Sequence, residues 1–155
     1  MPSRAQCIVH RGNKLLMVKH RYQGQEWWCL PGGAVEEGET PAEATIRELR
    51  EECQVEGTIV RETSVVTYSD AGDQAYTYLV DIGGQEPQMG HDPEFEGDEQ
   101  VLADARWVGL DEISERDRTF LWSAGLLGIQ PFYDEVANWG DWVSYPGRDG
   151  GETQL

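Results

Sequence analysis

Residues Pro31 to Val55 read PGGAVEEGETPAEATIRELREECQV, and no other stretch restricts the fold as much. A Pro-Gly-Gly break is followed by a helix start. Thr40 can cap, Pro41 takes the first helical position and Glu43 completes a capping box. At about 100° per residue, Ala42, Ile46, Leu49 and Cys53 gather on one side, which is the core face. Glu48, Glu51 and Glu52 gather on another, with Arg47 beside them. Carboxylates three and four residues apart repel and raise each other's pKa. On a solvated face that cost is small and screened by salt. A divalent cation would offset it, because Mg²⁺ is a hard ion that takes carboxylate and backbone oxygens. Gly32 and Gly33 favour this second reading, since they allow a turn whose backbone groups face outward.

The rest of the chain supplies strands around that helix. AQCIVHRGNKLLMVKHR predicts two strands across the turn Arg11–Lys14, and GQEWWCLPGG runs extended into the glycine break. GTIVRETSVVTYS and QAYTYLVDI predict an antiparallel pair across Asp70–Asp73, and ARWVGL predicts another strand. A late helical segment starts at about residue 115, over Glu115–Leu127 and again around Phe132–Asn138. Strands, one strong helix, more strands and late helices imply an α/β fold, a mixed sheet packed against helices. A single domain over 1–145 and a C-terminal tail over 146–155 follow. The apolar residues Phe120, Leu121, Trp122, Leu126 and Leu127 suit packing on the sheet and could also mark a homodimer contact.

Charge and cysteine usage narrow the function. The 155 residues carry a net charge of -17, which argues against a nucleic-acid binder with a basic face. A small anionic substrate remains compatible, because a bound cation reverses the local field. Cys7, Cys29 and Cys53 are odd in number and form no CxxC pair, which disfavours a disulfide framework or zinc site and suits a reducing compartment. The N-terminus lacks the apolar run of a secretory signal, and no segment approaches the ~20 apolar residues of a membrane span. A soluble cytoplasmic protein without membrane contact is the expectation. Lys19, His20 and Arg21 form a local basic run that could touch substrate phosphates.

Gly33, Glu39, Arg47, Glu48, Leu49, Glu51, Glu52 and Val55 stand at the spacings of G-x5-E-x7-R-E-U-x-E-E-x-G-U, with U a bulky aliphatic residue. The pattern resembles the box of the Nudix hydrolase family (MutT-like), with WCLPGG and ARWVGLDEI as similar flanks. One position departs: Gln54 stands where the family has its second glycine. Either Gln54 accepts a left-handed conformation, or the turn shifts toward Gly57.

The resemblance implies an α/β/α sandwich with a mixed β-sheet. It implies metal-dependent hydrolysis of a pyrophosphate bond in a nucleoside diphosphate linked to another group. Such substrates include nucleoside triphosphates, oxidised ones among them, and ADP-ribose or nucleotide-sugar types. Glu48, Glu51 and Glu52 would hold Mg²⁺, with Mn²⁺ the alternative, helped by the Gly32 carbonyl. Arg47 would orient the glutamates, and Gly33 and Glu39 would support the loop–helix junction. Glu99, with Glu96 second, matches the further acid that a downstream loop often supplies. Glu48 is the favoured general base and Glu52 the alternative. The competing reading is a catalytically silent domain that binds a nucleotide as a sensor; the intact glutamate set speaks against it.

Overall fold

Leu15, Leu16, Met17 and Val18 are all fully buried, although neighbouring residues of a strand point in opposite directions. Their strand is therefore covered on both faces. The computed structural model describes residues 3–91 and 101–139. In chain order its elements are β1 (Arg4–Ile8), β2 (His10–Arg11), β3 (Lys14–Tyr22), β4 (Gln25–Cys29), β5 (Gly32–Ala34), α1 (Pro41–Cys53), β6 (Thr58–Thr67), β7 (Gln74–Asp81), β8 (Leu102–Gly109), α2 (Glu115–Ser123) and α3 (Gln130–Ala137).

The strands form two four-stranded sheets. One has the order β5-β1-β7-β6 and is mixed, with β1 parallel to β7 and antiparallel to β5. In the other, β3 pairs antiparallel with β2, β4 and β8. Leu15 and Met17 pack with Leu121, Leu126 and Phe132 on the side of α2 and α3. Leu16 and Val18 pack with Leu49 and Cys53 of α1 on the other. Two cores separated by strands make the expected α/β/α arrangement.

Local sequence did not show where the first predicted strand divides. It breaks at Val9, whose carbonyl accepts the Leu16 N–H at 2.8 Å, and the chain passes there from one sheet to the other. The helix expected to reach Leu127 stops at Ser123. Gly125 follows with φ 92°, a left-handed value that ends the helix and leads into a short 3-10 turn at Leu126–Gly128. Asp117 and Arg118 then lock α2 in place. Asp117 accepts the Trp28 N–H at 2.9 Å, and Arg118 donates to the carbonyls of Leu110 at 2.7 Å and Ile113 at 2.5 Å. Leu121 and Leu126 lie in the core with Phe120 and Trp122 packed against it, whereas Leu127 is 41% exposed. The apolar residues of this segment thus serve the chain's own core. No helix among the described residues is long and apolar enough to cross a membrane.

Gln54 accepts the left-handed conformation, with φ 57° and ψ 38°, and its N–H donates to the Arg50 carbonyl at 3.0 Å. The side-chain amide donates to the Met89 carbonyl at 2.8 Å. The same segment closes the helix end, because the N–H groups of Gln88, Gly90 and His91 donate to the carbonyls of Cys53, Glu52 and Glu51. Contacts from residues 88–91 therefore support a strained cap. Gln54→Gly should melt no lower than the parent, since relief of about 1 kcal/mol of strain offsets the lost side-chain bond. Gln54→Val, β-branched at positive φ, should lower stability by about 1–2 kcal/mol in thermal denaturation.

Candidate active site

The helix start sets the phase of everything on α1. The Thr40 hydroxyl accepts the Glu43 N–H at 3.1 Å, and the Glu43 carboxylate accepts the Thr40 N–H at 2.9 Å. With that start, Leu49 and Cys53 enter the core and Arg47, Glu48 and Glu51 come together beside the β5–α1 loop. Arg47 organises this side. Its Nε and Nη2 form a two-pronged contact with Glu39 at 2.7 and 3.0 Å. Nη1 donates to Glu48 at 3.0 Å and Glu51 at 2.9 Å, and Nη2 reaches the Ala34 carbonyl at 3.1 Å. The guanidinium bonds hold the Glu39 carboxyl below its usual range.

Glu52 points away from Arg47 and is only 3% exposed. Its Oε1 accepts the Gly32 N–H at 2.9 Å, and its Oε2 lies 3.8 Å from His20 Nε2. The Gly32 amide is therefore the group engaged with a glutamate. Burial works against a charged His20, but its contacts with Cys29, 3.9 Å away, and Glu52 outweigh this and push its pKa up to about 10. At Gly33, a Cβ would meet the Glu48 carboxylate, the end of a flexible side chain, which would have to move aside. Burial first, and then the charge of Glu52, raise the Glu48 carboxyl to about 7 despite Arg47.

Lys19 and Arg21 do not join His20. Strand alternation turns them to the opposite side, where both meet Glu26, Lys19 at 3.6 Å and Arg21 at 2.5 Å. The basic run of the sequence is thus split across two faces. Trp28 is buried in the core, and Tyr76 and Tyr78 pack on the α1 side. Glu99 and Glu96 lie outside the described residues.

A cavity of about 340 Å³ opens beside Glu52, walled in part by Gly32, His20, Leu30 and Phe120. It runs into a second groove, because Arg4, Gln6, His20, Cys29 and Phe120 line both. Arg4, Gln6 and Thr77 of this wall escaped the sequence reading, which gave Phe120 only a packing or dimer role. The signal was present in Gln6, a polar residue inside the apolar strand AQCIV, but its partner Thr77 is 71 positions away.

Among the described residues no three His, Cys, Asp or Glu side chains stand as a ready metal shell, since Arg47 draws Glu48 and Glu51 to itself. The donors nevertheless fit a divalent ion. Four carboxylates, Glu39, Glu48, Glu51 and Glu52, face one guanidinium and one imidazole, and oxygen donors suit Mg²⁺ or Mn²⁺. A raised Glu48 pKa has a definite sign in stability. The unfolded chain releases this proton near 4.5 and the folded chain near 7, so its contribution is full below 4.5 and lost as pH rises to about 7. Metal-free protein should therefore lose melting temperature between pH 5 and 7.5. Glu48→Gln should flatten that slope and melt above the parent at pH 7.5, as followed by circular dichroism.

The NUDIX domain family matches residues 1–127. Diphosphoinositol polyphosphate phosphohydrolase 2 of Mus musculus is 32% identical over 83 residues, 51% of this chain and 45% of that protein. NAD-capped RNA hydrolase NudC of Pectobacterium carotovorum subsp. carotovorum is 27% identical over 117 residues, 74% of this chain and 42% of that protein. The matches thus span less than half the length of these curated relatives. Among solved structures, a NUDIX hydrolase from Nitrosomonas europaea superposes with a TM-score of 0.61 at 21% identity, covering 94% of this chain and 93% of that one. A C. elegans Ap4A hydrolase does so at 0.59 and 20% identity, covering 88% and 99%. These structural likenesses show the fold. With the family match over most of the chain and the box residues gathered around Arg47 and Glu52, this chain belongs to the Nudix family.

Proposed function

We propose that this protein hydrolyses a pyrophosphate bond in a nucleoside diphosphate linked to a second group, with a divalent metal ion. The observation that carries this reading is the buried Glu52. It meets Gly32 and His20, two residues that also wall the cavity, so the carboxylate cluster adjoins a space of substrate size. The names of the relatives point to substrates as different as diphosphoinositol polyphosphates and NAD-capped RNA, so specificity lies outside the shared box.

Glu48, Glu51 and Glu52 would hold Mg²⁺ or Mn²⁺, with the Gly32 carbonyl beside them. When bound, the ion supplies neutralisation of charge on the phosphate oxygens. Arg47 keeps Glu48 and Glu51 in one orientation through directed bonds. Glu48, raised to about 7 in the metal-free protein, would take the proton of an attacking water. His20, between Glu52 and the cavity, is the residue of the basic run that can meet a substrate phosphate, since Lys19 and Arg21 face Glu26. The catalytic unit is a single domain that takes a small nucleotide-like substrate.

The test is Mg²⁺-dependent turnover of nucleoside triphosphates, ADP-ribose, nucleotide sugars and dinucleoside polyphosphates, with Glu52→Gln alongside. One class should be hydrolysed. The variant, which keeps an acceptor for Gly32, should stay folded and lose at least about a hundredfold in kcat/KM. Mg²⁺ should raise the melting temperature of the parent more than that of the variant. Nucleotide binding without turnover of any class would replace the hydrolase by a sensor.

A further inference from the structure

Two of the three glutamates that would hold the ion sit where a helix is weakest. α1 ends at Cys53, so Glu51 and Glu52 lie on its last turn, whereas Glu48 belongs to the hydrogen-bonded body. The last four carbonyls of a helix have no partner within it, and such ends fray. Here all of them are occupied. The Arg50 carbonyl accepts the Gln54 N–H at 3.0 Å. Those of Glu51, Glu52 and Cys53 accept the N–H groups of His91 at 3.0 Å, Gly90 at 2.7 Å and Gln88 at 2.9 Å, all from a segment far along the chain.

A helix that ends through glycine commonly meets these carbonyls from the residues that follow it. Gln54 stands with a splint instead. Its side-chain amide donates to the Met89 carbonyl at 2.8 Å. Gln85 ties the segment down a second time: its amide oxygen accepts the Glu56 N–H at 3.0 Å, and its nitrogen donates to the Glu56 carbonyl at 2.8 Å. Gly90 makes the closest approach. A Cβ there would overlap the Glu51 carbonyl oxygen, a backbone atom that cannot swing aside. Gly90 is not among the glycines with positive φ, so space rather than conformation demands glycine at this position.

We propose that Gly90 and Gln54 are positioning residues for the divalent ion: they clamp the last turn of α1, and with it the Glu51 and Glu52 carboxylates, in the arrangement that receives a cation. The proposal rests on the reading that these glutamates hold the metal. Arg47 steadies the Glu51 side chain, and the Gly32 N–H steadies Glu52 at Oε1. Neither contact fixes the backbone from which the carboxylates project. The lacing to residues 88–91 does so, with bonds to the carbonyls of both glutamates. A backbone set beforehand spares the ion the cost of ordering its ligands, and partners outside a coordination shell commonly carry about 10–100-fold in metal affinity.

Titration of the folded protein with Mn²⁺ alone, the free ion read by electron paramagnetic resonance, tests this without substrate or turnover. Gly90→Ala should bind Mn²⁺ about tenfold more weakly than the parent. Gln54→Gly, expected to melt no lower than the parent, should still lose about threefold, because Met89 has lost its anchor. A merely structural role would not lower affinity without lowering the melting temperature. Raising Mg²⁺ about tenfold should restore kcat in Gly90→Ala, with the substrate KM at saturating metal unchanged. Gly84→Ala is the control in the same stretch, since a Cβ there meets open space, and it should bind Mn²⁺ like the parent. Affinities within about twofold of the parent in both Gly90→Ala and Gln54→Gly would overturn the proposal, as would an equal loss in Gly84→Ala. If Gly90→Ala does not fold, Gln54→Gly decides alone. A parent that binds no Mn²⁺, or binds it no better than Glu52→Gln, would remove the metal reading and the clamp with it. Binding lost in Glu52→Gln yet indifferent to Gly90→Ala and Gln54→Gly would overturn the clamp alone.

Discussion

The site depends on one guanidinium. Arg47 holds Glu39 by two prongs, Glu48 and Glu51 by a third nitrogen contact, and the Ala34 carbonyl. Those partners belong to β5, to the loop before the helix and to the helix itself. Without a cation at that point, three carboxylates would face each other at part-buried positions, which costs several kcal/mol. Lysine could supply the charge and not the fork, because its ammonium is a single point donor. Through Glu39 and Ala34 the contact also fixes the loop, and hence how closely Gly33 approaches Glu48.

Around this centre the fold separates two kinds of glutamate. Glu48 and Glu51 lean on Arg47, and Glu52 turns inward to Gly32 and His20. The strands impose that division. β1 places Gln6 opposite Gly32 and beside Thr77, so the wall that positions Glu52 also ends in the cavity. The change from Ile8 to Gln6 and Arg4 on one face marks where the α2–α3 core stops. A net charge of -17 is compatible with an anionic substrate because a divalent cation held by the glutamates would reverse the local field.

Much of the frame was legible in the sequence. Thr40, Pro41 and Glu43 marked the helix start, and the structure has the full capping box there. The even and odd residues of LLMV announced a strand covered on both sides only in retrospect, since a short apolar run does not say how many faces it buries. Gly125 carried a usable stop signal inside the predicted late helix. Lys19 and Arg21 could have been separated from His20 by period two alone. Nothing local marked the break at Val9, because a strand that leaves one sheet for another keeps its apolar character.

The sequence by itself determined which residues share a helix face: spacing and caps are local, and Arg47, Glu48, Glu51 and Glu52 had to cluster once a helix started at Pro41. It also determined that Gln54 must bear strain or displace the turn. Tertiary structure decided the rest. Which glutamate is buried, why Glu48 holds its proton to about 7, and that Gln6 meets Thr77 all depend on strands far apart in the chain. Desolvation is set by everything packed around a group, and no local pattern of charges encodes it.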